Sequence, residues 1–223
     1  MKRLLPLLAL MLWWGPLAAK PTVLVVGDSL SAAYGLRAED GWVALLGRHL
    51  APRGIAVANA SISGETTAGG VGRIDAELER TAPSVVVIAL GANDGLRGLP
   101  LDAMRANLSR MVVAAKARGA RVLLVGIRIP PNYGADYADA FHATYAALAR
   151  EHRVALLPFL LEPIAGSRAG FLPDQMHPNA AAQPKLLAHV LPALEPLLAT
   201  PRRATRRVPA QARAGADVGG GVR

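Results

Sequence analysis

Apolar residues along this chain alternate between two rhythms. Short continuous runs, such as VLVV at 23–26, VVVIAL at 85–90 and VLLV at 122–125, are separated by stretches whose apolar positions recur every three or four residues. Continuous runs suit strands buried on both faces, and the longer spacing suits helices with one buried face. The pattern predicts strands at 22–27, 55–60, 84–90, 121–127 and 154–159. It predicts helices at 41–51, 69–80, 102–119, 136–152 and 179–199. In the first helix Trp42, Leu45, Leu46 and Leu50 are expected to share the buried face. Pro184, Pro192 and Pro196 are expected to kink or divide the last helix. Strands alternating with helices in this way predict the α/β class, a three-layer α/β/α sandwich with a central parallel sheet of about five strands. Ligands of such sheets bind outside the carboxyl ends of the strands.

Both ends of the chain break the alternation. Residues 1–19, MKRLLPLLALMLWWGPLAA, place Lys2 and Arg3 before an apolar run that closes on Ala18 and Ala19, the order of a secretory signal peptide. The run stops at Gly15 and Pro16, short of the ~20 residues a spanning helix needs. Export to a bacterial periplasm or beyond is expected. Residues 201–223 are rich in Arg, Ala and Gly and poor in large apolar groups, the composition of a disordered tail. The expected division is a signal peptide at 1–19, a folded domain at 20–200 and the tail at 201–223.

Charge changes little in this picture once it is located. The net charge is +9. Lys2 and Arg3 carry two of these charges; the tail, with six arginines against Asp217, carries a further five, which leaves +2 elsewhere. A nearly neutral domain argues against a nucleic-acid partner. The basic tail is read as solvated, with weak contact to an anionic membrane surface as its other reading. A monomer is expected. The chain has no cysteine, which excludes disulfides, thiol nucleophiles and cysteine zinc sites.

The predicted strand ends hold the chemistry. A phosphate loop, a G-x-G-x-x-G turn, an H-E-x-x-H zinc helix and a G-x-S-x-G elbow are all missing. Present instead are Gly27-Asp28-Ser29 after the first strand, Gly64 after the second, Asn93 and Asp94 after the third, and Asp174 three residues before His177. Taken singly, a serine or asparagine there forms turns, and Asp-x-x-His caps helices. Together they contain the parts of acyl transfer: a hydroxyl, a base with its orienting carboxylate, and donors for an oxyanion. His49, His142, His152 and His189 fall inside helical stretches and are read as packing or surface residues; His177 lies between Pro173 and Pro178.

GDSLS, NASISGET, LGANDGLRG and MHPN, in this order, resemble the four sequence blocks of the GDSL, or SGNH, hydrolase family, over about residues 21 to 199. The flanking IRIPPNYG, LLPF and HPNAAAQP are similar to its bacterial multifunctional thioesterase I, lysophospholipase and arylesterase group. The resemblance implies a flavodoxin-like SGNH fold with catalytic Ser29, Asp174 and His177. It implies an oxyanion hole formed by the Ser29 and Gly64 N–H groups and the Asn93 side chain, and no metal or cofactor. Substrates would be small acyl esters or thioesters, lysophospholipids among them. An apolar acyl site is expected from Ile129, Pro130 and Tyr133, on a loop that in the resembling group moves on binding. Asp28 is read as structural. The Gln175-Met176 pair and the Arg-rich tail depart from the group's wording. A polysaccharide O-acetyl esterase and a non-catalytic binding protein of this fold are the alternatives; the low aromatic content, 4%, speaks against the first. The intact set of site residues speaks against the second.

Overall fold

The computed structural model describes residues 21–199; the expected signal peptide and tail lie outside the described residues. Five strands form one parallel sheet: β1 Thr22–Gly27, β2 Ala56–Asn59, β3 Val85–Ala89, β4 Arg121–Val125 and β5 Ala155–Leu157. Their order is β2-β1-β3-β4-β5. The helices are α1 Trp42–Leu50, α2 Thr67–Thr81, a one-turn α3 Ala92–Leu96, α4 Leu101–Ala117, α5 Ala135–His152 and α6 Gln183–Ala199. Helices α1 and α6 pack on one face of the sheet; α2, α4 and α5 cover the other. Every residue of β3 is buried, as two-sided cover requires. This is the expected three-layer sandwich in its flavodoxin-like order.

The strand order reverses between β1 and β3, which pair from Val23↔Val85 to Gly27↔Ala89. Neighbouring connections leave this point toward opposite faces and open a crevice at the strand ends. Ser29 follows β1 and Asn93 opens the segment after β3, so both stand at the crevice.

Three expectations need correction. The buried face of α1, which packs against α6 and β2, is Trp42, Val43, Leu46 and Leu50; Leu45 falls at its margin and is only half-buried. Helix α6 is not divided at Pro192 or Pro196. The break in 179–199 comes earlier, where the short turn Ala180–Ala182 gives way to α6. Pro184 sits in the first turn of α6, where a missing N–H costs no helical bond. Helix α2 begins two residues before its predicted start, at Thr67, for a reason that belongs to the site.

Gly91 controls the entry to α3. Its φ is +120°, and a Cβ there would fall 2.3 Å from Tyr145 Oη and 3.3 Å from Met104 Sδ. Tyr145 cannot retreat: it is buried and its hydroxyl donates to Leu90 O at 3.1 Å. Gly91→Ala is expected to destabilise by about 3 kcal/mol, from strain and overpacking together. Urea unfolding of the variant measures this; a shift below about 1 kcal/mol would show that the turn adapts.

Candidate active site

The loop after β1 folds back on itself. The Asp28 carbonyl accepts the N–H groups of Ser31 (3.1 Å) and Ala32 (2.9 Å), and Asp28 Oδ1 accepts the Leu30 N–H at 3.0 Å. Asp28 is thus structural, and it is buried. Burial pushes its carboxyl up to about 7, against the opposing pull of the Leu30 N–H. An unfolded aspartate ionises near 4. Between about pH 4 and 7 the unfolded chain has lost this proton and the folded chain still holds it, so Asp28 makes stability fall as pH rises through that window. Asp28→Asn removes this slope. Its melting temperature relative to the native protein is expected to rise from pH 4 to pH 7; a constant difference would show that Asp28 does not titrate there.

The base comes from far along the chain. Leu172-Pro173-Asp174 enters a tight turn whose ends meet through the Leu172 N–H and the His177 carbonyl, 2.7 Å apart. Asp174 Oδ1 accepts the N–H groups of Met176 (2.9 Å) and His177 (3.0 Å). Its Oδ2 lies 2.8 Å from His177 Nδ1. His177 Nε2 in turn lies 3.0 Å from Ser29 Oγ, across 148 residues of sequence. The His177 N–H, then the Met176 N–H and the imidazole, pull the Asp174 carboxyl down to about 2. It therefore stays ionised at any pH above about 3. Any stability from these bonds is present above the unfolded value and lost as pH falls toward 2. Gln175 adopts a left-handed φ of +57° inside the turn and donates to Leu172 O at 3.2 Å; the Asp-x-x-His spacing is undisturbed.

Two loops complete the crevice. Asp94 is buried and accepts both the N–H (2.8 Å) and the hydroxyl (2.6 Å) of Thr67. A carboxylate at the N-terminus of α2 meets the positive end of the helix dipole, and it adds to the local cap, in which Thr66 Oγ1 accepts the Gly69 N–H at 3.5 Å. The Asp94 contact draws the loop before α2 against α3. There Asn93 Nδ2 donates to Glu65 O at 3.0 Å, and Arg97 Nη2 donates to Gly64 O at 2.9 Å. Gly64 has a φ of +80°. A Cβ on it would meet only Arg97 Nη2, at 3.9 Å, so among its protein neighbours the glycine supplies conformation rather than space. Neither the Ser29 N–H nor the Gly64 N–H donates to an acceptor among the described residues.

These groups border a cavity of about 660 Å³ that Ser29, Gly64, Asn93, Asp174 and His177 all line. Apolar side chains also line it, among them Leu96, Ile129, Pro130, Phe159, Leu161 and Phe171. The lining includes Ile129 and Pro130 but not Tyr133, which sits in a short turn at Pro131–Tyr133 and is 39% exposed. Among the described residues no cluster of His, Asp or Glu is placed to hold a metal.

Three contacts escaped the sequence pattern. Tyr34 lays its ring on His177, with centroids 4.3 Å apart. Gln183, buried at the start of α6, accepts the Trp42 N–H at 2.9 Å and donates to Pro178 O at 3.2 Å. Trp42 Nε1 donates to Leu30 O at 3.2 Å, so Gln183 and Trp42 join the serine loop to the histidine loop. The signal for Gln183 was present, a polar residue on an apolar helix, but its partners are 141 residues away and next to His177.

The chain is similar over most of its length to proteins that are known. It is 51% identical to esterase TesA of Pseudomonas aeruginosa over 183 residues, 81% of this chain and 91% of that protein. It is 41% identical to thioesterase 1/protease 1/lysophospholipase L1 of Escherichia coli K12 over 194 residues, 87% and 93% of the two chains. The crystal structure of the psychrotrophic esterase EstA from Pseudoalteromonas, inhibited by monoethylphosphonate, superposes with a TM-score of 0.76 at 41% identity and covers 80% of this chain and 99% of that one. Fold and relatives define the class: this is an enzyme, a hydrolase of acyl groups. The model of the GDSL-like lipase/acylhydrolase family matches residues 25–184, and the chain belongs to that family.

Proposed function

We propose that this chain is an exported serine hydrolase that cleaves carboxylic esters and thioesters of acyl chains through an acyl-enzyme on Ser29. The relay of 3.0 Å from Ser29 Oγ to His177 Nε2 and 2.8 Å from Nδ1 to Asp174, at the edge of an apolar cavity, carries this reading. With the ring proton on Nδ1, His177 Nε2 accepts the Ser29 proton as Oγ attacks the acyl carbonyl. The tetrahedral oxyanion is met by the Ser29 and Gly64 N–H groups and by Asn93 Nδ2. His177 returns the proton to the departing alcohol or thiol. Water, activated by the same imidazole, then releases the acid. Thioesters and lysophospholipids suit the apolar wall, and the names of the relatives point the same way. The signal-like residues 1–19 support export, which N-terminal sequencing of the mature protein would test.

A fluorophosphonate probe tests the reading directly: it should label the native protein on Ser29 and no other residue. Asn93→Ala should retain the fold and lose about 10²–10³ in kcat, the usual effect of deleting one oxyanion donor, with KM nearly constant. A loss below tenfold in a steady-state assay on a chromogenic acyl ester would remove Asn93 from the oxyanion hole.

A further inference from the structure

The geometry points to Tyr34 as a positioning residue for the base: its ring covers one face of His177 and stabilises the imidazolium that forms as Ser29 attacks. This rests on the reading of Ser29 and His177 as nucleophile and base. Both imidazole nitrogens are committed in the plane of the ring, Nε2 to Ser29 and Nδ1 to Asp174. Only the two faces remain to sense a change of charge. Tyr34 occupies one, with centroids 4.3 Å apart and planes inclined by 35°. A cation within about 6 Å of an aromatic centroid is attracted by the ring quadrupole. Neutral imidazole feels no such attraction, so the contact strengthens when the proton arrives and favours the transition state over the ground state.

The loop itself arranges this. The Tyr34 N–H donates to the Ser29 carbonyl at 3.3 Å, and Ala33 before it takes a left-handed φ of +61°. A single turn therefore presents both the nucleophile and the ring that covers its base. Tyr34 is 50% exposed, so its ring is not needed to fill the core. It also lines the cavity, which raises substrate contact as the competing explanation.

Tyr34→Phe keeps the quadrupole, whereas Tyr34→Leu keeps an apolar cover without it. Both should melt like the native protein. Tyr34→Leu should be slower than Tyr34→Phe by about two- to fivefold, in kcat on a short p-nitrophenyl ester and in the rate of Ser29 phosphonylation by a fluorophosphonate, at equal KM. Equal rates for Phe and Leu would overturn the inference, since mere shielding would then suffice. A difference confined to KM would overturn it too, in favour of substrate contact. His177→Ala, run alongside, separates the two levels: phosphonylation at the native rate there would remove the base itself, whatever the Tyr34 pair shows.

Discussion

Ser29→Ala is expected to abolish acyl-enzyme formation and to lower kcat by about 10⁴- to 10⁶-fold. The substitution removes one oxygen, whose hydrogen-bond partner among the described residues is His177 Nε2. Ser29 is only half-buried, and the loop is held by Asp28, by the Tyr34 N–H on the Ser29 carbonyl and by Trp42 on Leu30 O, none of which involves the hydroxyl. The fold should therefore persist, with stability changed by less than about 1 kcal/mol. The backbone N–H groups and Asn93 also survive, so a residual rate above that of water is expected from them. Mass spectrometry after fluorophosphonate treatment and turnover of a chromogenic ester measure the two effects. Native turnover by the alanine variant would mean that another group attacks the carbonyl.

Asp174→Asn should cost about 10⁴ in kcat while leaving KM and the fold nearly intact. The reason is the direction of hydrogen bonds. Asp174 Oδ1 accepts two backbone N–H groups and Oδ2 faces His177 Nδ1. An asparagine keeps the two N–H bonds by placing its oxygen at Oδ1, which turns its amide donor toward Nδ1. Nδ1 must then accept, the ring proton moves to Nε2, and the imidazole meets the Ser29 hydroxyl as a donor, unable to take its proton. The turn would look the same in a crystal structure while the base was disabled. A loss near tenfold would instead assign Asp174 to holding the turn, with the imidazole oriented by other groups.

Much of the architecture was legible because it is local. Each predicted strand formed within a residue or two of its expected bounds, and the helices followed their apolar spacing. Errors came where tertiary contacts decide. Helix α2 starts at Thr67, where Thr66 caps it and Asp94 holds the Thr67 N–H, and apolar periodicity encodes neither the cap nor a carboxylate 27 residues away. The prolines of α6 suggested a break that the continuous helix does not show, because packing of Leu186, Val190 and Leu194 in the core offsets the lost helical bonds. Tyr133 was assigned to the acyl wall on proximity in sequence to Ile129 and Pro130, but it falls in the short turn that follows them and is exposed instead of lining the cavity.

By itself, then, the sequence determined the class of fold, the order of its elements and the residue types waiting at the strand ends. Hydrophobic period and turn chemistry act over a few residues, so they can be read without knowing what lies across the sheet. Only the tertiary structure decided that Ser29 and His177 lie 3.0 Å apart, that Asp94 meets the start of α2, and that a tyrosine ring rests on the imidazole. Those facts depend on strand order and on loop conformations held by single buried hydrogen bonds between distant segments, and neither leaves a periodic trace in the chain.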